Sequence, residues 1–422
     1  VSVVGEQHES DRGAKNANRT ELWRAFALPV VVGLAVLGVA GVNFAGGLAQ
    51  KHNDSEAAAA CQVLPRERLV PDTGALFGVN LDWHSKSLET FAADLGHKPA
   101  VSVSFTGFPL TSKDEEDLGR AVEQIRADGQ MMLLTLEPTG GLEGVTDETA
   151  AALARDLAGY NSQGVPVIVR FAHEMNGSWY AWSQQPQKYV SAFQTMAKAI
   201  HAIAPGSATM WAPNYGGGYP FAGGQYEAKP GTIGFSALDT NGDGVLTMAD
   251  DPYAPYYPGD DAVDWVGMSL YHWGNSYPWG ENERPEPNKF ADQLTGHYAG
   301  ANGDDTLLPD FYGVYGELHG KPVAVPETAA LFAPGAVKPT PGAEQPAELE
   351  IKEAWWEQLF DPSIPQRFPQ LKMINWFEWD KNESEVKGRV DWTVTNTPAV
   401  RDAFTAALPG WFRYGPESAC TP

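Results

Sequence analysis

Two short stretches carry side chains able to combine acid–base and nucleophilic chemistry. RFAHEMNGSWYAW gathers His173, Glu174, Asn176, Trp179 and Trp182, and KPVAVPETA sets Glu327 directly after an apolar run. Hydrolysis of a glycosidic bond needs two such carboxyl groups. One attacks the anomeric carbon, and the other protonates the leaving oxygen and then deprotonates water. A glutamate after a strand can equally cap the next helix, so the weight rests on the pair and its aromatic and polar neighbours. Between the two stretches lies DTNGDGVLTMAD, with Asp239, Asn241 and Asp243 at positions one, three and five of a twelve-residue loop and Gly244 at its turn. That is the spacing of an EF-hand-like calcium loop. Its ligands would be those three side chains, the Val245 carbonyl, Thr247 directly or through water, and Asp250 at position twelve, where aspartate is shorter than the usual glutamate. No flanking helices are evident. The ion would be structural, and a solvated acidic turn is the alternative.

These residues need a scaffold that brings distant segments to one face. Short β-rich runs occur at 75–81, 100–105, 131–136, 167–171, 209–212, 265–270, 322–325 and 372–376, apolar without strict alternation, as in strands buried on both sides. Helical patterns separate several of them, clearest at 186–204, where Tyr189, Phe193, Met196 and Ile200 share a face. Eight strand–helix units predict an α/β fold, a (β/α)8 TIM barrel whose long βα loops wall a cleft at the C-terminal strand ends. Glu174 follows the fourth run and Glu327 the seventh. No Gly-rich phosphate turn follows an early strand, which disfavours a doubly wound sheet.

On the motifs at His173–Glu174, Trp179, Tyr271 in VGMSLYHWG, Glu327 and Trp376 in INWFEWD, the chain resembles glycoside hydrolase family 26 from about Leu76 to Phe404. Members are mostly endo-β-mannanases of a clan with the acid on strand four and the nucleophile on strand seven. The resemblance implies Glu174 as general acid/base, Glu327 as nucleophile, and sugar contacts from His173, Trp179, Tyr271 and Trp376. Asn214 after the fifth strand and Trp182 are further candidate contacts, and Glu137 after the third holds a similar rim position. Phe171 and Ala172 stand where a proline and a large residue are common, and Thr-Ala follows Glu327; these departures bear on substrate more than mechanism. Retention requires the two carboxyl groups to lie roughly 5–5.5 Å apart. The implied substrate is a neutral β-linked polysaccharide, mannan first, with β-1,3/1,4-glucan or β-1,3-xylan as alternatives. A non-catalytic or accessory membrane-tethered carbohydrate-binding protein is the competing class.

Composition narrows the partners. With 29 basic and 53 acidic residues the net charge is -24, and no basic tract interrupts the excess, so nucleic acid is excluded as a partner. Residues 25–50 carry no charge, and the basic residues before them orient the remainder outside the cytoplasm. The expected organisation is a cytoplasmic or n-region segment over 1–24, a transmembrane anchor or signal sequence over 25–50, a linker over 51–61 and a catalytic barrel over 62–422. The protein is thus expected to be extracytoplasmic, cell-surface anchored or secreted, and monomeric. Cys61 and Cys420 bracket the barrel, and export permits them to pair.

Overall fold

In the computed structural model, the described residues are 62–275, 279–301, 303–335, 346–415 and 420–421. The anchor and linker expected over 1–61 lie outside them, as does Cys61. Among the described residues no helix is long and apolar enough to cross a membrane.

Eight parallel strands form the barrel: β1 (Ala75–Leu81), β2 (Val101–Gly107), β3 (Met131–Glu137), β4 (Val167–Phe171), β5 (Ser207–Trp211), β6 (Trp265–Gly267), β7 (Val323–Thr328) and β8 (Leu371–Glu378). Each pairs with its sequence neighbour, and β8 closes on β1 over Met373↔Leu76 to Glu378↔Leu81. The expected barrel is therefore present, with strand positions close to the apolar runs. A short strand, Phe412–Arg413, adds to the outer start of β1, and Gln62–Val63 pairs antiparallel with Cys420–Thr421, joining the two ends of the domain.

The helices are α1 (Leu88–Leu95), α2 (Ser112–Ala127), α3 (Asp147–Ser162), α4 (Pro186–Ile203), α5 (Ile233–Leu238), α6 (Lys289–Leu294), α7 (Glu348–Phe360), α8 (Ile364–Arg367) and α9 (Pro398–Ala407). Their starts follow from local chemistry. Thr111 and Asp114 form a reciprocal capping box at α2, and Pro186 opens α4 where a missing N–H costs nothing.

Alternation along the strands sorts the core into two layers. Leu76, Val101, Val103, Met131, Leu133, Ile168, Ala208, Met210, Trp265, Ala324 and Met373 fill the barrel interior. Their neighbours, among them Phe77, Leu134, Val169, Val266 and Ile374, face the helices. Both faces are thus apolar until the inward row reaches the C-terminal mouth, where its residues become polar.

Candidate active site

Continuing each inward row by steps of two gives the floor of the mouth. From Ile168 the next inward residue is Arg170; from Leu133 come Thr135 and Glu137; from Trp265 come Gly267, Ser269 and Tyr271; from Met373 come Asn375 and Phe377. Glu327 reaches the same place by an irregularity. Ala324 faces inward and Val325 outward, so unbroken alternation would send Glu327 out. The register with β8 shifts between Val325 and Thr328, at a proline that cannot donate to the ladder. Thr328 consequently points outward, accepting the Trp355 indole N–H at 2.9 Å, and Glu327 turns in.

There Glu327 is buried at 7% exposure, and Arg170 donates from Nη1 to its Oε1. The Tyr271 hydroxyl donates to Oε2 at 2.7 Å. Arg170 is wholly enclosed and donates from Nη2 to Ser269 Oγ at 2.8 Å. Breaking such a buried pair from one side costs about 3–5 kcal/mol.

Glu174 is held by a loop that leaves β4 at once. The Ala172 N–H donates to Leu136 O on β3, and the Glu174 N–H donates to Ala212 O beyond β5, each at 2.9 Å. Spanning two strand ends forces Ala172 to φ 46° and Glu174 to φ 54°, a left-handed conformation that ordinary residues rarely adopt and that is found at functional sites. Ser269 and Trp179 lie beside the carboxyl of Glu174 and favour its charged form. Burial, then the charge of Glu327, pushes its pKa up to about 7, against the opposing pull of Arg170. Glu137 is likewise pushed up to about 7, by burial first and by Glu327 second. Three carboxyl groups therefore share one guanidinium.

A family model described as "Glycosyl hydrolase family 26" matches residues 124–204, the segment holding β3, β4 and Glu174. Over that segment the chain is similar to glycosyl hydrolase family 26. Endoglucanase H of Acetivibrio thermocellus is 24% identical over 286 residues, 67% of this chain and 24% of that protein, so the chain spans about a quarter of this curated relative. The catalytic domain of the Bacillus sp. JAMB-750 GH26 endo-β-1,4-mannanase shares the fold, at TM-score 0.50 and 15% identity over 85% of this chain and 94% of that one. GH26C from Muricauda sp. MAR_2010_75 aligns at TM-score 0.48 and 13% identity over 83% and 88% of the two chains.

Several of the expected sugar contacts take other places. Trp376 is an outward residue of β8, fully buried, with its indole N–H on Trp392 O at 3.1 Å and its ring 5.1 Å from that of Phe404 on α9. No surface is left for a sugar, because one step along a strand exchanges the faces. Trp182 is also core, 1% exposed, donating to His173 O at 2.7 Å and stacked on Tyr180 at 4.3 Å. These two expectations are corrected. His173 is 3% exposed, enclosed by Phe105, Tyr180 and Trp182. Trp179 keeps a half-buried ring beside Glu174, set edge-on to Phe221 at 5.1 Å. Asn214 is half-buried, its backbone joined to the Asn176 amide by two 2.8 Å hydrogen bonds.

Further aromatic surface lies beside Tyr271. Phe377 is 5.7 Å from its ring, Trp379 stacks on Phe377 at 5.8 Å, and half-buried Trp273 is 6.2 Å from Tyr271. Ser269 was also missed, although counting in twos back from Tyr271 finds it.

The acidic loop follows α5 directly, so a short helix does flank its entry. Asp239 accepts from the N–H groups of Asp243 and Gly244, Asn241 from Asp243, and Asp243 from Val245. Asp250, 1% exposed, accepts from Thr240 at 2.8 Å and Thr247 at 2.9 Å. The carboxylates thus close the turn on its own backbone. Asp250 Oδ1 also accepts from the Thr240 hydroxyl and the Asn241 N–H, and no group of three or more His, Cys, Asp or Glu side chains converges as a metal cluster among the described residues.

Proposed function

We propose that this chain is a retaining endo-glycoside hydrolase acting on a neutral β-linked polysaccharide by double displacement. The observation that carries the reading is the pair of inward glutamates with opposite partners. Glu327 takes a guanidinium and a phenol, donors that suit a carboxylate nucleophile. Glu174 is partly withdrawn from water and beside that negative charge, which keeps its proton available for the leaving oxygen. In the first step Glu327 attacks the anomeric carbon while Glu174 gives its proton to the departing oxygen. In the second, Glu174 takes a proton from water, the water attacks the glycosyl–enzyme ester, and Glu327 is released. Both proton and electron-pair counts return to their starting values. Trp179, Trp273 and Trp379 offer faces on which pyranose rings stack.

Mannan is the first substrate we propose, in keeping with the family's mannanases. β-1,3/1,4-Glucan is second, favoured by the endoglucanase relative, and β-1,3-xylan third. Release of soluble oligosaccharide from one member of such a panel supports the reading, and none from any member sinks it. We further propose that the chain acts outside the cytoplasm, anchored or secreted, and that the loop from Asp239 to Asp250 holds a structural calcium ion. The metal would enter no chemical step. Chelation is then expected to lower the melting temperature by several degrees, with recovery on added calcium; indifference to chelator leaves an acidic turn.

A further inference from the structure

We propose that Glu137 binds substrate directly, its carboxyl group accepting hydrogen bonds from hydroxyls of a neutral sugar seated over the ends of β2 and β3. This rests on the glycosidase reading above. Three observations carry it. Glu137 ends the inward row of β3, after Met131, Leu133 and Thr135, so its side chain rises into the mouth. Of the other two carboxyl groups there, Glu327 is engaged by Arg170 and Tyr271, and Glu174 lies beside Ser269 and Trp179 as the proton donor of the reading above. Among the described residues no hydrogen bond is donated to the carboxyl group of Glu137, which is half-buried.

Its neighbour across the ladder explains where a ligand would fit. Glu137 pairs with Gly107 of β2, and a Cβ built on Gly107 would meet no atom within 4 Å. The open space therefore adjoins an inward carboxyl to which no described group donates. A half-buried carboxyl group bordering open space keeps its lone pairs for a ligand, and sugar hydroxyls are neutral donors that fit them. The groups facing Glu137 are Arg170, Glu174, Glu327 and Tyr180, so a uronate at this subsite would meet three carboxyl groups against one guanidinium. The surroundings select an uncharged ring.

The test is steady-state kinetics of the wild type, Glu137→Gln, Glu137→Ala and Gly107→Leu on the polysaccharide that the wild type cleaves, with melting temperatures recorded alongside. Losing a hydrogen bond to a carboxylate should raise KM about tenfold in Glu137→Ala, with kcat changed less than about threefold and melting unaltered. Glu137→Gln should fall between it and the wild type. Gly107→Leu, which fills the space and leaves every carboxyl in place, should raise KM comparably, and it carries the test if the Glu137 variants misfold. Wild-type KM in the folded variants, or a loss confined to kcat, overturns the inference while leaving the glycosidase reading intact. A wild type that cleaves no glycan overturns the reading itself, and the inference with it.

Discussion

Replacing Glu327 by alanine is expected to abolish hydrolysis, with kcat falling at least about 10⁴-fold, because the group that would form the covalent bond is gone. The same change leaves Arg170 buried with only Ser269 as a side-chain acceptor, so the variant should also melt earlier. Glu327→Gln separates the two effects. It keeps the shape and an acceptor for Tyr271 yet cannot act as a carboxylate nucleophile, so activity should stay lost while part of the stability returns. Hydrolysis rates with thermal melts of both variants check this; near-wild-type rates in either would remove Glu327 from the mechanism.

Glu174→Gln should lower kcat about 10²–10⁴-fold, the range for losing general acid–base assistance. The pH profile gives a second signature. An acid must be protonated when substrate arrives, and the pKa of Glu174 is pushed up to about 7, so wild-type activity should be present below neutrality and fall as pH rises through that value. Residual activity of Glu174→Gln should lack this basic limb. A substrate with a leaving group that needs no protonation should lose much less in the first step. An unchanged profile would assign the limb to another group.

The barrel was legible because strands buried on both sides leave continuous apolar runs, and eight such runs admit few closures. The positions of Glu174 and Glu327 followed from the order of the strands. What failed was orientation within a strand. INWFEWD offers two tryptophans, and the motif selected Trp376, yet pairing with β1 at Val79 sends it to the helix layer and leaves Phe377 and Trp379 toward the mouth. Trp182 failed for a similar reason, since the left-handed turn at Ala172 and Glu174 folds the loop back and carries that indole under His173. The irregularity at Pro326 that turns Glu327 inward depends on the pairing with β8, which a local string of residues does not contain. Glu137 stood out little in sequence because a strand-end glutamate is ordinary. Its distinction is the absence of a donor, which is a property of the assembled mouth.

In the proposed double displacement Glu327 attacks the sugar and Glu174 serves first as acid and then as base. The most direct measurement is the anomeric configuration of the newly formed reducing end, followed by proton NMR in the first minutes of hydrolysis before mutarotation. Double displacement predicts that the β configuration appears first, with α growing in later. Initial appearance of the α anomer would contradict the claim, since it would mean that water and not Glu327 attacks the anomeric carbon.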